Sequence, residues 1–548
     1  KVAVARLVQC TQHHWLGGHG KHCCSKGDAG SLCCDMVTVR KSIPSRGLCS
    51  CGCCFALVLL FVCILVPGLA VLSSVESNYQ GVCIHILSVL LALGTASGLS
   101  AIAVFFYFDN SFQIWALRHP RNPISQLFLP IFALCQGFQS CNNAWLYARR
   151  LKYGPNFCCA GQLCLGEPHV IKSAVLSPQT RTFCLGQLPL LRRHCPLSDD
   201  GCKNTLLIAM SAVDAGGNGD YEKFKKCMED YLIKSPHVQL RQHDATVKNL
   251  LEQLAQDYLE MPPEDFFTDS KREKGLEVFL IRYFHYVMFG LNLNGKDLKL
   301  VTKLYGGDWY TSHFLLPTSF ILNGTRLVDE VARMYESSPG MQNFQDNVPE
   351  HGCMTRSELA RLMVAIIRLA AKTGTYQLAR VAMANLRLPS YRGENTENTK
   401  IEQHWDALNL NDPSAVRMYI MEVARLYPPV NCVHHVSTVE LTVRIAGQTQ
   451  TFPAGTLLLV PLVLGNLDRG IWGPTTFEFD PQRPELESQF MGFNSVGDQH
   501  CGRTCPGKEL TLDIVATMLQ VLGETRRRKR ADCIPVAQSC GIDQEICN

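Results

Sequence analysis

The sequence has little net charge and therefore lacks the strongly basic surface of a nucleic-acid-binding protein. Its 52 Lys and Arg residues nearly balance its 48 Asp and Glu residues, which leaves a net charge of +4. Because nucleic-acid binders carry a basic patch or stripe, the balance predicts no nucleic-acid partner. The short basic run 526–530 predicts a solvated surface or tail, since such runs usually face water.

Acidic residues are also scarce at the start of the chain, where cysteine is abundant. Residues 1–50 hold only Asp28 and Asp35 against seven Lys or Arg residues, and nine of the 27 cysteines precede Phe55. The charge bias is typical of an organelle leader or of the positive flank of a membrane anchor. Neither spacing nor chain length fits a secreted disulfide framework. Residues 1–52 are therefore predicted to be a Cys/His-rich basic leader, with a metal site in 10–24 as the alternative.

Two apolar stretches come after the leader and lack the charges of a surface helix. Residues 53–73 contain no charged side chain and are about as long as a bilayer crossing requires. Residues 82–108 are interrupted only by His85 and small polar residues. Basic residues flank the pair on both sides, which favours a hairpin with both ends on one face. Residues 53–108 are predicted to form two transmembrane helices, and a pair of buried core helices is the alternative.

The rest of the chain divides by the regularity of its apolar pattern. Residues 109–204 show no sustained period and remain unassigned, or form a divergent start of the next domain. Residues 205–530 have ordinary globular patterning, and 531–548 are a Cys-containing tail. The pattern and the turn residues predict helices and strands in this order: helices 357–386 and 413–427, strands 438–445, 448–452 and 456–463, and helix 510–522.

The first chemical motif is a pair of opposite charges on the predicted helix 413–427. Glu422 and Arg425 are three residues apart, so their side chains share one helical face and can pair. Such pairs are common, and exposed ones contribute little to stability. This pair is informative because of the residues after it, which read Leu-Tyr-Pro-Pro-Val at 426–430 and later Pro-Gln-Arg ending at Arg483.

The second motif is a cysteine placed just before a predicted helix. Residues 493–509 read Phe-Asn-Ser-Val-Gly-Asp-Gln-His-Cys-Gly-Arg-Thr-Cys-Pro-Gly-Lys-Glu. A thiolate at a helix N-terminus is stabilised by backbone N–H groups and by the helix dipole, and Cys505 has that position. Pro506 suits the first turn, and Gly507 lets another group approach the backbone closely. Cys501 is the other cysteine of this stretch that could serve as the ligand. The residues after it, Gly502 and Arg503, differ from the Pro-Gly that follows Cys505.

This ordered series resembles the cytochrome P-450 superfamily. By that resemblance Cys505 is the axial thiolate ligand to the iron of heme b, and Arg503 pairs with a heme propionate. Phe493 and Gly507 belong to the same heme-binding loop. Trp145 also lies four residues before an arginine, as in the family's propionate-binding helix, although such a pair often arises by chance.

The resemblance also implies a role for the charged pair. Glu422, Arg425 and Arg483 would form a buried ion network that locks the core on the heme side. The resemblance makes residues 205–530 a cytochrome P-450-like heme domain. The implied architecture is mainly α with a small β domain, the cytochrome P-450 fold, here preceded by the transmembrane hairpin. The membrane would be that of the endoplasmic reticulum or of a plastid-type organelle.

The cysteine loop departs from the usual family pattern. The phenylalanine usually lies seven positions before the cysteine, whereas Phe493 lies twelve positions before Cys505. A longer loop, with Lys508 and Glu509 after it, is similar to that of allene oxide synthases and hydroperoxide lyases. Those relatives rearrange fatty-acid hydroperoxides without O2 or a reductase.

The long predicted helix lacks an acid that oxygen-activating members carry. In those enzymes an acid and an alcohol relay protons to bound dioxygen. The corresponding stretch here, 370–376, has no carboxylate, and its alcohol hydroxyl groups belong to Thr373 and Thr375. These two residues are the catalytic candidates, and Thr375 is the better relay. An enzyme that is fed a preformed O–O bond needs no relay, because the thiolate itself promotes cleavage of that bond.

The sequence thus predicts a membrane-associated heme-thiolate oxidoreductase that acts on a small lipophilic substrate. The favoured reaction is rearrangement or dehydration of a fatty-acid hydroperoxide. One alternative is a monooxygenase that inserts oxygen from O2 with electrons from a reductase partner. The other is an inactive heme domain that serves as a membrane scaffold.

Overall fold

The computed structural model describes nine stretches of the chain, and the predicted leader and hairpin lie outside them. The described residues are 110–136, 142–176, 180–182, 225–268, 274–305, 325–346, 354–383, 404–499 and 504–540. All belong to one compact unit, Leu99–Asn548. In these ranges, no helix combines the length and apolarity that a membrane crossing needs. The predicted transmembrane pair at 53–108 stays a prediction.

Helices make up most of the described chain, which confirms the predicted mainly α architecture with a small β part. The helices of the first half are α1 Pro123–Gln136, α2 Asn143–Tyr153, α3 Pro168–Leu176, α4 Pro236–Gln242, α5 Ala245–Glu260, α6 Pro263–Thr268, α7 Leu276–Phe289, α8 Gly295–Tyr305 and α9 Thr325–Glu336. Those of the second half are α10 Arg356–Arg368, α11 Thr375–Ala382, α12 Pro413–Leu426, α13 Leu462–Asn466, α14 Arg469–Trp472, α15 Leu486–Gln489 and α16 Lys508–Cys540.

Local signals explain the limits of α12, the helix predicted at 413–427. The Asp412 side chain accepts the N–H of Ser414 at 2.9 Å and that of Ala415 at 3.2 Å, which satisfies two of the first free donors. Pro413 occupies the first turn, where a missing N–H costs nothing. Pro428 prevents continuation. The helix therefore ends at Leu426, one residue before the predicted end.

The main sheet joins the region that the sequence left unassigned to strands that come after α12. Its five strands in the described residues run β1-β2-β7-β4-β3, with β2 and β7 parallel and the other neighbours antiparallel. The strands are β1 Asn156–Cys159, β2 Gln162–Leu165, β3 Thr180–Thr182, β4 Val433–Ser437 and β7 Leu457–Val460. Residues 109–204 thus supply β1, β2 and β3 to the same unit.

Two small hairpins complete the β structure. Strands β5 Leu441–Ile445 and β6 Gln448–Phe452 pair around Ala446 and Gly447, which both have positive φ. That backbone twist matches the twist of the two strands. Strands β8 Met491–Gly492 and β9 Ser495–Val496 form the second hairpin, at the start of the cysteine loop.

The long helix predicted at 357–386 is interrupted by a wider turn. Helix α10 begins with a capping box in which Thr355 and Glu358 exchange hydrogen bonds of 2.9 and 3.2 Å. Residues Leu369–Gly374 then form a π-helical turn, and α11 continues to Ala382. The apolar pattern did not signal such a turn, because one extra residue shifts the pattern by only a single position.

A chain of buried polar side chains crosses the helical core. His285 on α7 contacts the Ile281 carbonyl through Nδ1 at 2.7 Å and the Tyr335 hydroxyl through Nε2 at 2.7 Å. The Tyr335 hydroxyl lies 2.8 Å from that of Tyr305, which donates to the Val364 carbonyl at 3.1 Å. The three side chains are fully buried. Because a carbonyl only accepts, Nδ1 carries the imidazole proton.

Acidification is expected to destabilise the fold through His285. Burial lowers the pKa of His285 to about 4, whereas an unfolded histidine titrates near 6.5. Protons therefore bind the unfolded chain more readily, so stability is full above about pH 6.5 and falls by on the order of 3 kcal/mol toward pH 4. Urea unfolding between pH 7 and pH 4 measures this loss.

In the His285→Gln variant, the difference in bound protons between the unfolded and folded states should fall by about one between pH 6.5 and pH 4. The free energy of unfolding should therefore depend less steeply on pH. A residual histidine slope remains from His434, whose pKa burial also lowers to about 4. An identical pH slope in the wild type and the variant would contradict the assignment.

Candidate functional site

The structure brings Glu422, Arg425 and Arg483 together in one buried ion network. Arg425 Nε lies 2.6 Å from Glu422 Oε2, and Arg425 Nη2 lies 2.8 Å from Oε1. Arg483 Nε reaches the same Oε1 at 3.2 Å. Glu422 and Arg425 are fully buried and Arg483 nearly so. A charged group of this kind persists in the interior only when its partners satisfy it.

Backbone groups of one loop complete the hydrogen bonding of the network. Arg425 Nη1 donates to the carbonyls of Asn466 and Thr476, both at 2.8 Å. Arg483 Nη2 donates to the Glu478 carbonyl at 2.9 Å, and the Asp480 N–H donates to Glu422 at 3.0 Å. The network therefore ties α12 to the whole segment between α13 and α15, which precedes the cysteine loop.

The turn of the β8–β9 hairpin holds the start of the cysteine loop. Phe493 and Asn494 both have positive φ, 52° and 56°, which is the geometry of a tight two-residue hairpin turn. A bulky side chain seldom adopts this conformation. The Phe493 carbonyl accepts the N–H of Cys505 at 2.8 Å, so the strained turn directly positions the cysteine.

A bend that depends on a glycine lies between the hairpin and the cysteine. Gly497 has φ of +54°, and a Cβ there would lie 2.4 Å from the Ser488 carbonyl oxygen. The buried Lys508 directs its ammonium to the Gly497 carbonyl at 3.4 Å. Two contacts therefore join the hairpin side of the loop to the residues around Cys505: Phe493 with Cys505, and Gly497 with Lys508.

Cys505 lies half-buried at the start of α16. Burial raises the pKa of its thiol, and the Gly507 N–H and the charges of Lys225 and Lys508 act against that rise. Among the described residues, and apart from its two chain neighbours, a Cβ at Gly507 would meet only the Cys505 sulfur, at 3.9 Å.

Two predicted site residues fall outside the described residues. Arg503, the predicted propionate partner, and Cys501, the rival ligand, are both in 500–503. Their predicted roles stay predictions. Of the catalytic candidates, Thr373 belongs to the π-helical turn.

The other catalytic candidate, Thr375, lies at the junction of two helices. Its side chain is fully buried, and its hydroxyl lies 3.2 Å from that of Thr511 on α16. This hydroxyl is therefore engaged in helix packing. The N–H of Thr375 donates to the Ala370 carbonyl, five residues back, so the threonine comes directly after the widened turn.

A carboxylate that the sequence analysis did not assign lies beside the same turn. Glu277 on α7 is largely buried and pairs with Lys372 Nζ at 2.9 Å. Residues 370–376 contain no acid of their own, yet the fold brings one to them from a site some 95 positions earlier. The signal available in the sequence was a single acid inside a mostly apolar helix.

The Trp145 and Arg149 pair forms part of α2. The Arg149 guanidinium stacks on the Trp145 ring at 4.9 Å and on the Tyr153 ring at 5.0 Å. Arg150 next to it pairs with Asp468 and donates to the Leu464 carbonyl at 2.8 Å. The helix thus packs on the segment around α13, and its predicted role toward a propionate is untested.

Comparison with curated proteins finds relatives of one superfamily over a short part of the chain. A cytochrome P-450 of Panax ginseng is 38% identical over 74 residues, 14% of each protein. Secologanin synthase 2 of Catharanthus roseus is 38% identical over 78 residues, 14% of this chain and 13% of its own. The matched parts thus cover about one seventh of these relatives. No protein-family profile matches the chain.

Solved structures of cytochromes P-450 align with a larger part of the chain at low identity. A Mycobacterium smegmatis cytochrome P-450 with econazole bound has a TM-score of 0.47 and 14% identity, over 72% of this chain and 93% of that one. The heme domain of a Tepidiphilus thermophilus cytochrome P-450 has a TM-score of 0.47 and 14% identity, over 71% and 86%. These values concern the course of the backbone alone.

Over these short segments the chain is similar to members of the cytochrome P-450 superfamily. Members of that superfamily are heme-thiolate enzymes with heme b as their cofactor. The residues around Cys505 are compatible with that cofactor: a soft thiolate suits iron, and Gly507 adds no side chain beside the sulfur. The comparisons leave the reaction subclass undecided.

Removal of the network's carboxylate should be costly to stability. Glu422→Ala would leave the Arg425 and Arg483 guanidinium groups buried without a counter-charge, so we expect a loss of about 3–5 kcal/mol in the free energy of unfolding. Chemical denaturation measures it. The matched control is Glu524→Ala, which removes an exposed partner 3.1 Å from Arg528 and should cost less than about 1 kcal/mol. Equal losses in the two variants would contradict the role of the network.

Proposed function

We propose that the protein is a heme-thiolate oxidoreductase in which Cys505 ligates the iron of heme b. The proposal is supported by the position of Cys505 at the start of α16, with its N–H held by Phe493. It is also supported by the buried network around Glu422, which ties α12 to the segment leading into the loop. When bound, heme supplies an iron centre whose thiolate ligand promotes cleavage of an O–O bond.

The chain's own groups prepare the thiolate for that role. The Gly507 N–H and the charges of Lys225 and Lys508 favour the anion, whereas burial opposes it. A buried thiol of this kind stays protonated until a cation binds, and binding then releases the proton. The absence of a side chain at Gly507 would let the edge of the heme ring approach the Cys505 sulfur. The substrate in this proposal is small and lipophilic.

We propose further that the oxidant is a preformed O–O bond, carried by a fatty-acid hydroperoxide. The observation that carries this step is the Thr375 hydroxyl, which is engaged with Thr511 at 3.2 Å in a stretch, 370–376, without a carboxylate. Glu277 stands nearby but is already paired with Lys372. The spacing of twelve between Phe493 and Cys505 points the same way.

A reductase-dependent monooxygenase is the second candidate function. It is favoured by the curated relatives, which include two secologanin synthases of Catharanthus roseus and a cytochrome P-450 of Panax ginseng. This candidate requires a reductase partner and O2. In either case we propose association with a membrane through residues 53–108. An inactive heme domain that serves as a scaffold would be indicated if the purified chain took up no heme.

Replacement of the proposed ligand tests the cofactor assignment. Cys505→Ala should abolish the Soret band of the reduced carbon monoxide complex that gives the family its name, because that band requires a thiolate ligand. Cys432→Ala, which removes another buried cysteine, is the control and should retain the band. Retention of the band in Cys505→Ala would rule out Cys505 as the ligand.

The choice of oxidant can be tested with one protein preparation. Heme-loaded protein without reductant should consume a fatty-acid hydroperoxide, with loss of its conjugated-diene absorbance, and Cys505→Ala should not. The same protein with a reductase and NADPH should take up little O2. Uptake of O2 that depends on NADPH and substrate, without hydroperoxide turnover, would favour the monooxygenase instead.

A further inference from the structure

The buried chain from His285 to Val364 ends on the helix that carries the π-helical turn. Tyr335 on α9 donates its hydroxyl proton to His285 Nε2. The single hydroxyl proton of Tyr305 on α8 is therefore shared between the Tyr335 oxygen at 2.8 Å and the Val364 carbonyl at 3.1 Å. Val364 lies five residues before Leu369, where the π turn begins. Three helices, α7, α8 and α9, are thus connected by polar contacts to one point on α10.

Three more polar contacts hold the turn and the residues immediately after it. Lys372 pairs with Glu277 at 2.9 Å, and the Thr375 hydroxyl lies 3.2 Å from that of Thr511. The Tyr376 hydroxyl donates to the Phe267 carbonyl. These contacts come from α7, α16 and α6, so the turn is held from several directions.

The π turn decides which residues of α11 face α16. An α-helix completes a turn in 3.6 residues, so one residue more or less rotates all later positions by about 100°. Without the widened turn, Thr375 would point away from Thr511. An isolated π turn is less favourable than regular helix and is seen mainly where its surroundings demand it. Contacts before and after the turn must therefore maintain it.

We propose that Tyr305, supported by Tyr335, is a positioning residue for this π turn. Its hydroxyl holds α10 at Val364, so that α11 presents Thr375 to Thr511 on the helix that begins beside Cys505. Which residues of α11 face α16 does not depend on whether heme binds. The consequence of this arrangement for the iron ligand rests on the proposed function.

The test is amide hydrogen exchange in the full chain with the Tyr305→Phe substitution. The variant removes one hydroxyl and keeps the ring. Loss of a buried hydrogen bond should speed exchange of the amides of 369–375 by about tenfold or more. The matched control is Tyr419→Phe, which removes a buried hydroxyl that donates to the Ala382 carbonyl at 3.0 Å, beyond the turn. The control should leave exchange at 369–375 unchanged.

A double-mutant cycle separates a held register from a general loss of stability. If Tyr305 and Thr375 act through the same turn, Thr375→Val should speed exchange less in the Tyr305→Phe background than in the wild type. In the Tyr419→Phe background, Thr375→Val should speed amide exchange by the same factor as in the wild type. Equal acceleration in all helices, or no acceleration at 369–375, would overturn the proposal. If Tyr305→Phe does not fold, Tyr335→Phe keeps the Val364 contact and should give a smaller acceleration in the same residues.

The reduced carbon monoxide spectrum distinguishes this proposal from the proposed function. A shifted Soret band in Tyr305→Phe, together with faster exchange, supports the link from the turn to Cys505. Faster exchange with an unshifted band overturns that link and supports the turn alone. Absence of the band in the wild-type protein contradicts the proposed function, and the exchange data still decide the register of the turn.

Discussion

The carboxylate of Glu422 is the constraint on which the described fold depends most. It is fully buried, and it accepts hydrogen bonds from two guanidinium groups and from the Asp480 N–H. An ion in the interior costs several kcal/mol to desolvate, so this arrangement persists only with every partner in place. The partners Arg425 and Arg483 are far apart in sequence, and their meeting closes the loop from α12 to α15. The hairpin that positions Cys505 comes directly after that loop.

The cysteine illustrates a second balance, between burial and local positive charge. Burial alone disfavours a thiolate, and the Gly507 N–H, Lys225 and Lys508 favour it. The direction that prevails is a raised pKa of the thiol, which favours its neutral form. In the proposed function, binding of a metal cation would displace this proton.

Local patterns explain which parts of the fold could be predicted from sequence. The limits of α12 depend on Asp412, Pro413 and Pro428, all near its ends, and strand β5 is indicated by its own alternation of apolar and polar residues. The pairing of Glu422 with Arg425 is expected from helical spacing. The contact of Arg483 with these two residues was predicted from the family resemblance. By contrast, β1 and β2 are short and buried throughout, so they show no alternation, and only their pairing with β7 reveals them.

The carboxylate beside the π turn was missed for a related reason. Glu277 belongs to a helix that is apolar on nearly every side, where a lone acid gives no hint of its partner. It meets Lys372 because α7 packs against the turn. An acid and an alcohol are therefore both near 370–376, although the sequence of that stretch showed only the alcohol. The ion pair with Lys372 and the contact with Thr511 set where these two groups lie. The packing of the helices, rather than the composition of 370–376, therefore decides which of them can take part in proton transfer.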